Sequence, residues 1–260
     1  MGSMPMRVLL GVLLALPNAD DPPVGKGPLL VLETFEATAP GQIPRGYQKT
    51  GEVAVVDGVA HTGRRSLRIE AATNGPRRIT LKGDAAASLG GRHWGRLYFK
   101  VRLPAPAPAG DVRVIHSTLV AGSALSPQHA DPIEVRLVDT VMNREGKLQF
   151  LYNVQPRKRP EFGKGSGYRY AFADRWTLAE WFVDHDTQTF RLFIDGEEVK
   201  DAGFSRGAGN FENAEIPAVF ESLSFGWNNY QPAGAGFVAW IDDLALAKDR
   251  LGARGIVRRK

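Results

Sequence analysis

Short strand-like runs recur along nearly the whole chain, each closed by a turn signal, and no window of useful length carries a 3.6-residue apolar stripe. The runs cover residues 28–35, 52–56, 66–71, 77–81, 96–103, 112–120, 133–139, 147–154, 180–184, 190–194, 222–227 and 237–246. Asp57-Gly58, Glu145-Gly146 and Asp195-Gly196 are among the turns that separate them. Helix is limited to at most one turn over residues 85–89. This pattern predicts an all-β chain, an antiparallel β-sandwich of the jelly-roll, concanavalin A-like kind. In residues 96–103, Leu97, Phe99 and Val101 point one way, while Arg96, Tyr98 and Lys100 point the other. One face of that strand is expected in the core, and the other is expected to show cations and aromatics.

The strand pattern places a single domain over residues 28–252, since the proline-rich stretch 104–109 is followed at once by more strand patterning. Before it, Arg7 precedes an apolar run over residues 8–16, too short to span a bilayer but suited to an export signal. Residues 1–27 are therefore expected to be a signal peptide or a disordered segment, and the protein to be secreted or periplasmic. The alternatives are a buried N-terminal strand, or cloning residues at Met1-Gly2-Ser3-Met4. No later segment is long and apolar enough for a membrane span. Residues 253–260 form a basic tail, and fraying is expected from Arg250 onward. A monomer is expected.

The chain has no cysteine, which excludes disulfides, zinc–thiolate sites, iron–sulfur clusters and thiol nucleophiles. Lys and Arg total 33 against 28 Asp and Glu, a mild excess that suits an anionic partner. No local carboxylate pair of the kind glycoside hydrolysis uses appears on a strand. Residues 163–167 lack the spacing of a phosphate loop, and no nucleic-acid motif accompanies the basic residues.

Four ordered segments carry a family resemblance. They are Leu32-Glu33-Thr34-Phe35-Glu36 with residues 61–68; Gly95-Arg96-Leu97-Tyr98-Phe99-Lys100-Val101 with Ile115-His116-Ser117-Thr118-Leu119; Trp176 and Glu180-Trp181 with Phe193-Ile194-Asp195-Gly196; and Phe225-Gly226-Trp227-Asn228-Asn229-Tyr230 with residues 240–246. Together they resemble the secreted jelly-roll polysaccharide lyase-like proteins, the group that includes fungal cellulose-induced (Cip1-like) proteins and glucuronan lyases. The resemblance implies a concave cleft for an acidic polysaccharide and, in some relatives, a structural calcium ion. It makes the expected activity β-elimination on a uronic-acid polymer, with a non-catalytic carbohydrate-binding, lectin-like module as the alternative. A weaker third reading is a surface protein docking on anionic cell-wall polymer.

Elimination needs a group that neutralises the carboxylate, a base for the C5 proton and an acid for the leaving oxygen. His116 is the candidate base, on a strand that resembles the family's cleft-histidine segment; the other possibility is a satisfied core histidine. Tyr230 is the candidate acid, because Gly226, Asn228 and Tyr230 share a face opposite Phe225 and Trp227. Arg136 and Asn228 are the candidate carboxylate clamp, although Arg136 could simply pair with Glu134. Substrate contacts are expected from Arg96, Tyr98, Lys100, Tyr152, Arg157, Lys164 and Tyr168, the last three in a basic loop over residues 157–169.

Calcium requires six to eight oxygen ligands. If the terminal strands pair, Glu36, Thr62 and Asp242 would converge, with Glu33 and Asp243 as substitutes. Alternation sends Asp242 and Asp243 to opposite faces, so only one side chain is expected to bind. Otherwise these acids cap strand ends and pair with Arg64 or Arg68.

Overall fold

The computed structural model describes residues 25, 27–206 and 214–253. Residues 1–24 and 26 of the expected N-terminal segment and residues 254–260 of the expected tail lie outside them. Two antiparallel sheets hold almost all the described chain. The 8-stranded sheet runs β13 (Glu197–Glu198), β12 (Thr189–Ile194), β11 (Thr177–Asp184), β6 (Arg92–Val101), β15 (Phe237–Ala247), β4 (Arg65–Ala72), β3 (Val53–Asp57), and β1 (Leu29–Glu33) pairs with β15. The 7-stranded sheet runs β10 (Phe162–Gly165), β9 (Leu148–Pro156), β8 (Pro132–Asn143), β7 (Val114–Leu125), β14 (Ser222–Asn229), β5 (Gly75–Lys82), β2 (Gln48–Thr50). The helix α1 is a single turn, Asp84–Ala87. Every strand-like run of the sequence lies on one of these strands. Three further strands, β2, β10 and β13, are edge strands too short to show alternation.

The core lies between the sheets. Trp181, Phe190 and Phe237 from the larger sheet pack in one cluster with Tyr152, Phe225 and Trp227 from the smaller. Burying large rings from both inner faces is the main stabilising contribution, about 2 kcal/mol or more per fully buried side chain. Gly95 is needed here, because a Cβ at that position would overlap the Trp181 indole. Among the described residues no helix is long and apolar enough to cross a membrane.

The polar face of β6 is covered instead of open. Arg96 is buried and donates to the carbonyl of Gly252 at 2.6 Å, while the Tyr98 hydroxyl donates to the carbonyl of Ala253 at 3.3 Å. Glu180 accepts from Arg250 at 3.0 Å and from the amide of Gly252 at 2.8 Å. The chain after β15 is thus tied down across the sheet, and the expected fraying does not begin at Arg250.

Candidate functional site

A polar cluster sits on the outer face of the 7-stranded sheet, where β7, β8, β9 and β14 lie side by side. Ile115 on β7 and Ile133, Val135 and Leu137 on β8 enter the core, so His116, Glu134 and Arg136 face outward. Tyr230 follows β14 and is held by its amide, which donates to the carbonyl of His116 at 3.0 Å. The His116 amide donates to the side chain of Gln231 at 2.7 Å.

Asp139 organises the imidazole. One carboxylate oxygen lies 2.5 Å from His116 Nε2, and the other accepts from the Thr118 hydroxyl at 2.6 Å. A fully buried carboxylate at that distance assigns the proton to Nε2, leaving the Nδ1 lone pair as the basic site. Asp139 shares the sequence parity of the core residues Val135 and Leu137, so alternation assigns it to the interior. Register shifts between Arg136 and Asp139 on β8, and between Thr118 and Val120 on β7, reverse that parity.

Tyr230 supplies a phenol with its proton in place. Its hydroxyl donates to Glu134 Oε1 at 2.5 Å. Burial, then the charge of Glu134, pushes the Tyr230 hydroxyl well above the usual phenol range. Burial works against the Glu134 carboxylate, but the charge of Arg78 and the Tyr230 hydroxyl outweigh it, and Glu134 titrates below its ordinary value. Arg78 bonds Glu134 at 2.9 Å. The Arg136 guanidinium lies 3.8 Å from the Tyr230 ring centre and reaches Glu134 at 3.3 Å, Asn153 at 3.1 Å and Gln155 at 3.3 Å. It also lies 3.4 Å from the His116 ring. Both sequence possibilities for Arg136 therefore hold together: it pairs with Glu134 and stands in the cluster.

The cluster opens into a groove of about 690 Å³ lined by Arg78, Glu134, Arg136, Gln155, Arg157, Asn228 and Tyr230, among others. His116, Arg136, Tyr230 and Asn228 are thus brought together, with Arg157 at the groove wall. His116 is largely covered, but by polar groups and not by the aliphatic neighbours of a core histidine.

The other expected substrate residues stand elsewhere. Arg96, Tyr98 and Lys100 lie on the opposite sheet, since β6 belongs to it, and Lys100 pairs with Asp174 at 2.9 Å. Tyr152 points into the core, fully buried, with its hydroxyl on the carbonyl of Ala214 at 2.5 Å. Lys164 donates to the carbonyl of Gly203, and Tyr168 is exposed without a place in the groove lining. Residues missed in the sequence are Asp139, Thr118, Arg78, Asn153, Gln155 and Glu161. Asn153 and Gln155 share the outward parity of β9, a signal that was present. Arg78 needed the pairing of β5 with β14, which no local pattern gives.

The expected calcium ligands split between two ends of one turn. Glu36 accepts from the amides of Arg64 and Arg65 at 2.8 and 2.7 Å. Glu33 accepts from the amide of Phe35 at 2.6 Å. Asp242 accepts from the amides of His61, Thr62 and Asp243. Asp243 takes the Thr62 hydroxyl at 2.8 Å and lies 2.7 Å from His61 Nδ1. Asp243 has a left-handed backbone (φ 48°) at a register shift in β15, so both aspartates face the 61–62 turn, contrary to simple alternation. These carboxylates meet N–H and O–H donors where a cation needs oxygens. Among the described residues no three His, Asp or Glu side chains form a metal-holding group. The carboxylate oxygens expected to hold calcium are engaged here by the amides and hydroxyl of the 61–65 segment.

No protein-family model matches the chain, the polysaccharide lyase-like group included, and no curated protein matches it. Solved structures do share its fold. One is a carbohydrate esterase from a Shiga toxin-encoding bacteriophage, with TM-score 0.55, 17% identity, and coverage of 86% of this chain and 99% of that one. Another is the binding domain of botulinum neurotoxin serotype G, with TM-score 0.50, 9% identity, and coverage of 87% and 49%. A third is domain 4 of an extracellular arabinanase from Geobacillus stearothermophilus, with TM-score 0.49, 17% identity, and coverage of 86% and 94%. The chain spans 43% and 48% of two further neurotoxin structures that it matches. At these identities the likeness is one of fold: the chain is an antiparallel β-sandwich.

Proposed function

We propose that the chain is a carbohydrate-binding β-sandwich protein whose groove recognises a carboxylated sugar. The observation that carries this reading is the Arg136 guanidinium, buried yet facing the groove, flanked by Asn153, His116 and Tyr230. A planar guanidinium beside an amide suits a carboxylate, and the Tyr230 ring gives sugar carbons an apolar surface. That a carbohydrate esterase shares the fold supports sugar as the ligand class. Secretion, the location an external glycan would require, belongs to the same proposal. Titration with oligoglucuronate and oligomannuronate tests the reading; no binding to either by the folded protein overturns it.

One observation favours a second, catalytic reading. His116, oriented by Asp139, lies beside the protonated phenol of Tyr230, the ring centres 5.2 Å apart. In β-elimination, His116 Nδ1 takes the C5 proton and that C–H electron pair becomes the C4–C5 double bond. The C4–O bond breaks, and the departing oxygen takes the Tyr230 proton. Arg136 and Asn153 withdraw charge from the sugar carboxylate, which acidifies C5. Return of the proton from His116 to Tyr230 restores the resting state. Ultraviolet absorbance of an unsaturated product separates the readings: binding without absorbance leaves a lectin-like module.

A further inference from the structure

The carboxylate position of the groove is already filled by the protein itself. Glu161 stands between β9 and β10, and its side chain reaches the face where the sugar carboxylate is placed above. One oxygen accepts from Asn153 Nδ2 at 2.8 Å and lies 3.6 Å from His116 Nδ1. The other lies 3.3 Å from Arg136. Gly163 makes this approach possible, since a Cβ there would come within 2.8 Å of Asn153 Nδ2.

We propose that Glu161 is an internal stand-in for the ligand carboxylate, seated on Arg136 and Asn153 beside His116 and displaced when a uronate binds. This rests on the reading of the groove as a carboxylate site and adds its regulation. Two carboxylates on one guanidinium face repel, so the ligand must expel Glu161. The segment itself stays put, because Arg159 is clamped by Glu215 at 2.7 Å and by Asp131 at 3.0 Å. The motion is therefore a turn of one side chain, and the Glu161 side chain, 36% exposed, has solvent to turn into. Displacement also uncovers His116 Nδ1, the atom the elimination reading uses as base. A neutral sugar has no carboxylate to place and leaves Glu161 where it is, so the contact selects against weak acidic ligands without affecting neutral ones.

Calorimetric titration of Glu161→Ala, Glu161→Gln and the unaltered protein with tetraglucuronate and with neutral cellotetraose tests this. If the seated state outweighs the displaced one about tenfold, removing Glu161 tightens tetraglucuronate binding about tenfold. Cellotetraose affinity stays within about twofold. Should Glu161→Ala not fold, Glu161→Gln decides, with a gain in the same direction. Binding of tetraglucuronate by the variant alone supports both the stand-in and the carboxylate reading. Equal or weaker binding by the variants, with the unaltered protein binding well, overturns the stand-in and leaves the carboxylate reading intact. An equal gain for both sugars also overturns the stand-in. No binding by any of the three proteins overturns both.

Discussion

Nearly the same set of side chains occurs on opposite sides of the sandwich. On the smaller sheet, His116 is held by Asp139, Asp139 takes the Thr118 hydroxyl, and Tyr230 and Arg136 stand alongside. On the larger sheet, His61 bonds Asp243, Asp243 takes the Thr62 hydroxyl, Tyr98 stacks on His61 at 3.5 Å, and Arg96 lies 6.0 Å from the Tyr98 ring. The difference is what surrounds them. Arg136 and Tyr230 open onto a groove. Arg96 and Tyr98 are turned onto the carbonyls of Gly252 and Ala253, and the Tyr98 ring covers one face of the imidazole. The first set keeps polar groups aimed at a space that a ligand can enter; the second fastens the 61–62 turn and the C-terminal segment to the sheet. Residue identity does not separate a site from a clasp. Access does.

The largest test of this contrast exchanges one atom in each aspartate. Asp139→Asn presents an amide to His116 and favours the wrong tautomer, so any elimination activity is expected to fall roughly 10³-fold while glycan affinity changes little. Asp243→Asn leaves turnover and affinity unchanged and lowers the melting temperature by about 3–6 °C, the effect of losing charged hydrogen bonds worth about 1–2 kcal/mol. Steady-state rates and thermal unfolding of both variants check this. A loss of turnover in the Asp243 variant equal to that in the Asp139 variant breaks the comparison.

Next comes the arginine pair. Truncating a buried charge that meets a ligand costs about 3 kcal/mol, so Arg136→Ala should weaken oligoglucuronate binding about 100-fold. Arg96→Ala should leave it within about twofold and loosen the C-terminal segment instead. Calorimetry reads the first effect, and hydrogen exchange at residues 250–253 reads the second. Since Arg136 is buried, Arg136→Lys serves as a gentler variant; a point charge without the planar fork should still lose much of the affinity.

The sandwich was legible because alternation is a local property and most strands keep it. Leu97, Phe99 and Val101, and Phe225 and Trp227, are buried as their parity demands. The candidate site was legible where parity holds: Arg136, Asn228 and Tyr230 line one groove, and His116 stands beside them. It failed at bulges. Asp139 and Asp243, the residues that orient the two imidazoles, both sit where an extra residue reverses parity, and no local pattern announced it. The covering of Arg96 and Tyr98 was also hidden, because it comes from residues more than 150 positions away. Glu161 carries no local signal beyond its place in the basic loop over residues 157–169, since its partners lie on strands that the sequence could not register.

A buried pair of histidines sharpens what the aspartates contribute. His93 and His185 lie 3.3 Å apart, ring nitrogen to ring nitrogen, and each bonds a carbonyl, of Leu89 and Pro217 respectively. Burial, then the neighbouring His185, pushes His93 down to about 3; burial also lowers His185, against the charges of Asp184 and Asp186. In the unfolded chain both take a proton near pH 6.5. As pH falls through about 6.5, the unfolded state binds protons that the folded state refuses, so stability is lost on the acid side of that value and is present above it. The melting temperature should fall by several degrees between about pH 6.5 and pH 4.5, before most carboxylates titrate. His93→Phe should flatten that slope, and an unchanged slope in the variant rules out this pair as its source.

The smallest expected effect concerns metal at the second cluster, and it bears directly on whether that cluster is a clasp. Asp242 is fully buried, and burial, then the charge of Asp243, pushes its carboxyl up to about 7. A carboxyl raised this far is relieved by a proton, and its oxygens already receive three backbone amides. A calcium ion would have to compete with those amides for the carboxylate lone pairs. Adding millimolar calcium after chelation should therefore move the melting temperature by no more than about 1 °C. A true site with a dissociation constant of about 10 μM would stabilise by about 2.7 kcal/mol at 1 mM calcium, and the melting temperature would rise by several degrees. A rise of that size, lost in Asp242→Asn, would make the second cluster an ion centre and would leave the groove as one of two working sites.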